Sequence, residues 1–223
     1  MPGRHTTTSP VVEEYLEAIH KFGRSADGVS TTRLAGHMQV APASVTGMLR
    51  RLTKAGLISY RRYGEIALTD EGDRRAHELI KRHRLAERLL TDVLKVPLEA
   101  AHEEACRLEH ALSPEVEARL ETALGSPHSC PHGNPIDAGA DDHTFSLAEA
   151  PAGRTLTIAR MEDETPEVVR YLSERKLLPG AQVTIRKREA LGTVLVVEVK
   201  GKRHHLSFGL AESLRVARGE KAA

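Results

Sequence analysis

Residues 30–68, STTRLAGHMQVAPASVTGMLRRLTKAGLISYRRYGEIAL, decide the architecture. Ser30-Thr31 can cap a short helix from Thr32 to His37, and Ala41-Pro42-Ala43-Ser44 opens another, with Val45, Met48, Leu49 and Leu52 along its apolar side. That helix stops at Ala55-Gly56. Two short β segments follow, Leu57–Tyr60 and Glu65–Leu68, joined by the basic tip Arg61-Arg62-Tyr63-Gly64. Upstream, Val12, Leu16, Ile19 and Phe22 recur at helical spacing after Ser9-Pro10, where proline suits a first helical turn. Two short helices, a tight connection, a further helix and a hairpin with a basic tip form a winged helix-turn-helix pattern.

The charges on this stretch point to its partner. No acid occurs from Gly28 to Gly64, whereas Arg33, Arg50, Arg51, Lys54, Arg61 and Arg62 all fall there, which predicts a face that meets polyanion, double-stranded DNA for this pattern. The leading residues of the third helix, Ala41, Ala43, Ser44, Thr46 and Gly47, are small. They can touch thymine methyls or make single hydrogen bonds, and no bidentate Arg or Gln stands among them, so DNA shape should carry much of the specificity. Thr31, Arg33, Arg50, Arg51, Lys54 and the wing residues Arg61, Arg62 and Tyr63 are the candidates for phosphate contacts.

Over all 223 residues, 32 Lys+Arg stand against 31 Asp+Glu, a net charge of +1 that by itself suggests indifference to polyanions. The average conceals three regimes. Residues 1–70 carry 9 basic and 6 acidic residues, 71–150 carry 9 and 16, and 151–223 carry 14 and 9. Aromatics at 3% without Trp argue against a stacking platform for single-stranded nucleic acid. Two cysteines, Cys106 and Cys130, are too few for a disulfide framework. No apolar run approaches the roughly 18 residues of a membrane span, and the start MPGRHTTTSP lacks the apolar core of a signal peptide, so the expected location is cytoplasmic with no membrane partner.

Helical periodicity continues from about Asp70 to Val93, Leu98 to Ala111 and Pro114 to Leu124, and Leu85, Leu89, Leu90, Val93 and Leu94 suggest a dimer seam. Residues 125–150 lose that period and read as an ordered loop followed by a linker. The β segments Leu156–Ala159, Gln182–Arg188, Thr193–Val199 and Lys202–Leu206, with a helix Glu167–Arg175 between the first two, suggest a small SH3-like barrel. The expected class is therefore mainly α with small β parts. Its domains are a winged helix-turn-helix at 1–70, a helical dimerisation and metal-binding part at 71–144, a linker at 145–152 and an SH3-like domain at 153–223.

Seven of the 12 histidines fall between His77 and His143. In His102-x3-Cys106-x2-Glu109-His110, a helix turning about 100° per residue puts Cys106 near 40°, Glu109 near −20° and His110 near 80° from His102. Four metal-capable side chains thus share one face, while Glu103 and Glu104 point elsewhere. His83 and Glu87, four apart, share a face of the preceding helix, and Glu14 and Glu17 do so on the first. A thiol, imidazoles and carboxylates clustered together are costly to bury unless a divalent ion pairs them. Mixed S, N and O donors suit Fe2+, Mn2+, Co2+, Ni2+ or Zn2+ rather than Mg2+ or Ca2+. His128-x-Cys130-x-His132 could form a separate zinc site, but its alternating spacing is unlike usual zinc knuckles and no second ligand pair follows, so an ordinary loop is the favoured reading.

KRHRLAERLLTDVL at 81–94, HEEACRLEHALSPEVEARL at 102–120 and HGNPI at 132–136 resemble the diphtheria toxin repressor/iron-dependent regulator family, and the resemblance runs the whole chain, including a C-terminal domain similar to ferrous-iron-transport accessory domains. It implies a homodimeric, divalent-metal-activated repressor of iron or manganese homeostasis that binds palindromic operators, with one or two dimers per operator and two ions per subunit. By that resemblance Cys106, Glu109 and His110 join Glu14, with Glu17 as a further acid, in a primary activating site. His83, Glu87 and His102 join Glu164 and Glu167 in an ancillary one. Iron-sensing members carry Met where Glu14 stands, and the manganese branch carries acid there but replaces the thiol, so this ligand set is a hybrid fitting Fe2+ or Mn2+, with Co2+, Ni2+ or Zn2+ able to substitute in vitro. An ion shared by Glu14 and the later helices is expected to clamp the first helix and fix two recognition helices about one DNA turn apart, roughly 34 Å.

Two readings compete. The donor cluster could hold a catalytic ion in a metal-dependent hydrolase, although HExxH, a nucleophile elbow and a phosphate loop are missing and the helix-turn-helix is left unexplained. Alternatively the C-terminal barrel could make the chain a metal-trafficking accessory, in which case deletion of residues 1–70 should leave function intact.

Overall fold

A computed structural model describes residues 9–24, 28–60, 65–140, 143–189 and 193–218. The chain forms two compact units, 1–81 and 82–223, with the division inside one long helix.

In the first unit, α1 (Pro10–Gly23), α2 (Thr31–His37) and α3 (Pro42–Lys54) precede β1 (Ile58–Tyr60) and β2 (Ile66–Leu68), and α4 (Asp70–Arg88) begins. Local chemistry sets the ends of these elements. Pro10 and Pro42 stand in the first turns of α1 and α3, where the missing N–H costs nothing. The Ser30 hydroxyl accepts from Arg33 N at 3.2 Å to start α2. Gly56, at φ +72°, ends α3 and turns the chain into β1, which pairs antiparallel with β2 in the register Ile58↔Leu68. Thr69 Oγ1 accepts from Gly72 N (3.2 Å) and donates to Gly56 O (2.7 Å), seating α4 on the strand. A Cβ on Gly72 would lie 1.9 Å from Leu57 O, so only glycine permits that approach. Leu16, Ile19, Leu34, Val45, Leu49, Leu52, Ile58 and Ile66 close the core, each worth about 1.5–3 kcal/mol when fully buried. The wing residues Arg61, Arg62 and Tyr63 lie outside the described residues.

The second unit takes the end of α4, a π-type turn at Leu89–Val93, α5 (Leu98–Leu108), a 3-10 turn at Glu109–Ala111 and α6 (Pro114–Ala123). Then come β3 (Phe145–Ser146), a 3-10 turn at Leu147–Glu149, β4 (Thr155–Met161), α7 (Pro166–Glu174), β5 (Gln182–Arg188), β6 (Val194–Val199), β7 (Lys202–Ser207), α8 (Phe208–Glu212) and β8 (Leu214–Arg218). The six strands run β3-β8-β4-β5-β6-β7, every neighbouring pair antiparallel, and this is the SH3-like part.

Two expectations need correction. Residues 145–152 are not a linker throughout: Phe145 pairs with Val216, and Leu147, Ala148 and Ala150 are buried in the core of the sheet. Of the proposed seam residues, Leu85 packs with Cys130 and Ile136, and Leu90 with Ala86 and Ala105. Val93 and Leu94 are left exposed, as is Val116 on α6.

Candidate metal centre and DNA face

Four-residue spacing sets the centre up. His83 and Glu87 project from one face of α4, and His102 and Cys106 from one face of α5. Glu109 opens the 3-10 turn that follows α5, its own backbone still helical, and its carboxylate meets His83. His83 Nδ1 lies 2.6 Å from Glu109 Oε2, and His83 Nε2 lies 3.1 Å from His102 Nδ1. Cys106 Sγ is 4.0 Å from His83 Nδ1 and 3.9 Å from His102 Nε2. His110 Nε2 lies 3.4 Å from Glu109 Oε1. Side chains assigned by resemblance to two different sites are therefore contiguous within this unit.

Glu87 is the hub. It is fully buried, and its Oε1 lies 3.0 Å from His132 Nδ1, 3.3 Å from His83 Nε2 and 3.6 Å from His102 Nδ1. Yet neither Glu87 oxygen and neither His132 nitrogen finds an aligned hydrogen-bond partner. Orphaning a buried carboxylate and a buried imidazole costs about 1–3 kcal/mol per group or more. Glu164, just ahead of α7, completes the ring, with Oε2 2.7 Å from His102 Nδ1. His83, Glu87, His102 and Glu164 form one set whose donor atoms lie within 4.8 Å of one another; Glu87, Cys130, His132 and Glu164 form a second; His83, His102 and Cys106 form a third. Ligands at about 2.0–2.3 Å from a divalent ion sit roughly 3–4 Å apart. The unaligned contacts around Glu87 have that spacing, so the residues fit such an ion.

The sequence reading missed His132 and Cys130. Their loop is held by Cys130 N donating to Asn134 O (2.8 Å), Ile136 N to His128 O (2.9 Å) and Arg88 Nε to Ser129 O (2.7 Å), with Arg84 bonded to Pro135 O. It is pinned to β4 by Met161 N donating to His132 O (2.9 Å), while Asn134 Nδ2 donates to Met161 O (3.1 Å) and Glu164 Oε1 (2.5 Å). Gly133 makes this approach possible. At φ +88°, it leaves so little room that a Cβ would sit 2.1 Å from Ala159 O. That glycine, between His132 and Asn134, was the available signal. His128 is exposed and belongs to none of these sets. Glu167 is also exposed and lies outside each set, so the Glu164-x-x-Glu167 pair is divided.

Burial opposes charge throughout the cluster, but the partners prevail. Desolvation pulls His83 down, and Cys106, Glu109 and Glu87 overcome it and hold the ring well above the usual imidazole range. Against the same opposition His102 is pushed up to about 11 by Cys106, Glu164 and Glu87. His132 is raised by Glu87 against its burial. Burial favours the neutral acid of Glu87, yet the facing imidazoles of His102, His132 and His83 keep it well below the carboxylate range. The Cys106 thiol, raised by burial, is brought below its usual value by His102 and His83, which favours the thiolate needed for a soft ligand. Burial, reinforced by Glu87 and Glu164, pushes the Cys130 thiol well up.

In the first unit, Glu14 is exposed on α1 and Glu17 is half-buried. Ala41, which caps α3, and Ala43, Ser44, Gly47, Arg50, Arg51 and Lys54 on it are exposed while Val45, Leu49 and Leu52 face the core. Thr46 is partly buried and its hydroxyl donates to Pro42 O at 3.1 Å. Thr31 is partly buried at the start of α2. Arg33, expected on phosphate, is engaged within the unit: Nη1 donates to Gly28 O (2.8 Å) and the guanidinium stacks 4.2 Å from the centre of the Phe22 ring.

A helix-turn-helix unit with a basic helix face, joined through α4 to a cluster of imidazoles, carboxylates and thiols that centres on the buried Glu87 and reaches the surface at Cys106, defines a metal-responsive DNA-binding regulator. Comparison with known proteins places it more closely. Residues 7–66 match the model "Iron dependent repressor, N-terminal DNA binding domain", 69–138 "Iron dependent repressor, metal binding and dimerisation domain" and 145–218 the FeoA domain. The chain is 30% identical to the iron-dependent repressor IdeR of Mycobacterium tuberculosis over 201 residues, 83% of this chain and 87% of that one. It is 28% identical to the diphtheria toxin repressor of Corynebacterium glutamicum over 222 residues, 93% and 96% of the two chains. Among solved structures it resembles a manganese-dependent transcriptional repressor in complex with manganese (TM-score 0.86, 29% identity, 93% and 99% covered). It also resembles ScaR with bound Cd2+ (TM-score 0.82, 28% identity, 93% and 99% covered). The chain belongs to the iron-dependent repressor family, a family of metal-dependent DNA-binding transcriptional regulators rather than enzymes. The hydrolase and metal-trafficking readings find no support there.

Proposed function

We propose that the chain is a cytoplasmic homodimeric repressor of iron or manganese homeostasis, which holds palindromic operator DNA when Fe2+ or Mn2+ occupies the Glu87-centred cluster. The observation that carries this reading is Glu87 itself: a fully buried carboxylate facing three imidazoles without one aligned hydrogen bond. His83, Glu87, His102, His132 and Glu164 would hold the ion, with Cys106 and Cys130 as the soft donors beside them. A bound dication supplies the positive charge that lets these carboxylates and thiols stay ionised out of water.

Two ions per subunit is the stoichiometry we propose, supported by the motif resemblance that assigns Glu14 and Glu17 to a site with Cys106, Glu109 and His110, beside the Glu87-centred donors. Hard carboxylates favour Mn2+ and the thiols favour Fe2+. That relatives are called iron- and manganese-dependent, and that ScaR structures hold Cd2+ and Zn2+, supports a pocket able to take Co2+, Ni2+ or Zn2+ in vitro. Exposed Val93, Leu94 and Val116 support a dimer surface, and the operator is expected to take one or two dimers. The exposed face of α3 supports DNA contact, with Arg50, Arg51 and Lys54 on phosphate and Ala43, Ser44 and Gly47 toward base edges. No helix among the described residues is long and apolar enough to cross a membrane.

The test is selection of a random-site DNA pool with Fe2+, Mn2+, Co2+, Zn2+ or chelator. Enrichment of one palindrome with metal alone is expected. Enrichment of the same sites in chelator would overturn the proposal.

A further inference from the structure

A second type of donor cluster lies in the first unit, apart from every residue used above. Near the end of α1, His20 faces α4, which presents Asp73 in its first turn and His77 one turn later. Asp73 stands between the rings: Oδ1 is 3.2 Å from His20 Nδ1 and Oδ2 is 3.6 Å from His77 Nε2. The imidazoles meet edge to face with centroids 4.7 Å apart, and one donor atom from each of the three residues lies within 4.8 Å of the others.

We propose that His20, Asp73 and His77 form a separate site for a zinc-class divalent ion that staples α1 to α4 within the DNA-binding unit. Two imidazoles and one carboxylate are a three-protein-ligand set, which leaves a fourth tetrahedral position for water. The exposure of the side chains, 12% for His20, 29% for His77 and 45% for Asp73, gives water that access. Tetrahedral bonds of about 2.0–2.1 Å set donors roughly 3.3 Å apart. The two contacts at 3.2 and 3.6 Å bracket this value, and small ring rotations bring the imidazoles together. Asp73 and His77 are four residues apart on one helix, so their spacing is fixed by the backbone before His20 docks. Without an ion, His20 Nδ1 donates to Asp73 Oδ1, and an ion would take that proton's place between the two atoms. Imidazole with carboxylate suits Zn2+ or Co2+ over Ca2+ or Mg2+. The proposal does not depend on the Glu87 cluster, because no donor is shared.

Equilibrium dialysis with Co2+ tests it on the full-length chain, comparing wild type with His77→Gln, Asp73→Asn and Glu87→Gln. His77→Gln and Asp73→Asn should each bind one ion fewer than wild type and lose the visible absorption of one tetrahedral Co2+, while Glu87→Gln keeps that ion. His77 is the more exposed of the two rings, so its variant is expected to melt with wild type in chelator. Crystals of the unaltered protein grown with Co2+ give a reading independent of any variant. An anomalous peak bonded to His20 Nδ1 and His77 Nε2 supports the site. No peak there, or unchanged stoichiometry in both variants, overturns it.

Discussion

Glu87→Gln is the most informative single change. Glutamine keeps the size and shape of the side chain, so no cavity opens in a residue that is fully buried. What disappears is the negative charge facing His83, His102 and His132 at 3.3, 3.6 and 3.0 Å. Breaking a buried ion pair by removing one partner costs about 3–5 kcal/mol. The lower end applies here, because Glu109 and Glu164 still pair with His83 (2.6 Å) and His102 (2.7 Å). For a chain of this size about 3 kcal/mol corresponds to a Tm lower by about 6–12 °C in chelator. The second effect has the opposite sense in wild type. An ion at about 100 times its Kd adds roughly 2.7 kcal/mol, a rise of about 5–10 °C, and the Gln variant should gain little of it. Thermal unfolding with chelator and with Mn2+, followed by circular dichroism, reads both. A Gln variant that melts with wild type in chelator and gains the full increment with Mn2+ would refute the assignment of Glu87 as the hub.

Three further outcomes follow from the same geometry. His132→Ala should weaken Mn2+ binding by at least the roughly 10- to 100-fold typical of losing an outer-shell partner, whereas His128→Ala, on an exposed ring, should leave titration calorimetry unchanged. Binding should release protons: His83, His102 and His132 are all raised, His102 to about 11, so an ion must displace at least the proton that His102 carries at pH 7. Affinity then rises from pH 6 to pH 8, and calorimetric heats differ between buffers of unlike ionisation enthalpy. In the metal-free chain the sign is reversed. The stability these raised imidazoles contribute is present at and below their unfolded pKa, about 6.5, and is lost for His102 only as pH climbs toward about 11. Finally, Arg50→Ala should reduce the slope of log K against log salt by about 1 and weaken all sites alike, if Arg50 meets phosphate.

The helices and most strands were legible because they are written locally. Pro10, Ser30, Pro42 and Gly56 mark ends that backbone chemistry enforces, and Gln182–Arg188 alternates as a strand should. What escaped depends on distant neighbours. Phe145–Ser146 is too short to show a period and becomes a strand only by pairing with β8, which itself has no turn signal ahead of it beyond the brief helix α8. His83, Glu87, His102 and Cys106 were readable because four-residue spacing survives in regular helix. Glu109 was readable for the same reason, because its backbone stays helical as α5 passes into the 3-10 turn. His132 looked ordinary because its partner Glu87 is far back in the chain, and only the close approach at Gly133 brings the loop against β4. Arg33 was read by charge alone, and charge cannot show that Phe22 and Gly28 already hold the guanidinium.

The central claim is that occupancy of the Glu87 cluster governs DNA binding. Its most direct measurement is the affinity of the wild type and of Glu87→Gln for the selected operator, by fluorescence anisotropy at fixed salt, with Fe2+ or Mn2+ and with chelator. The account predicts that metal tightens wild-type binding by roughly 5- to 150-fold, the usual range of coupling between two sites, and leaves the variant at the chelator value. Equal affinity of the wild type with and without metal, or a variant that responds as the wild type does, would contradict it.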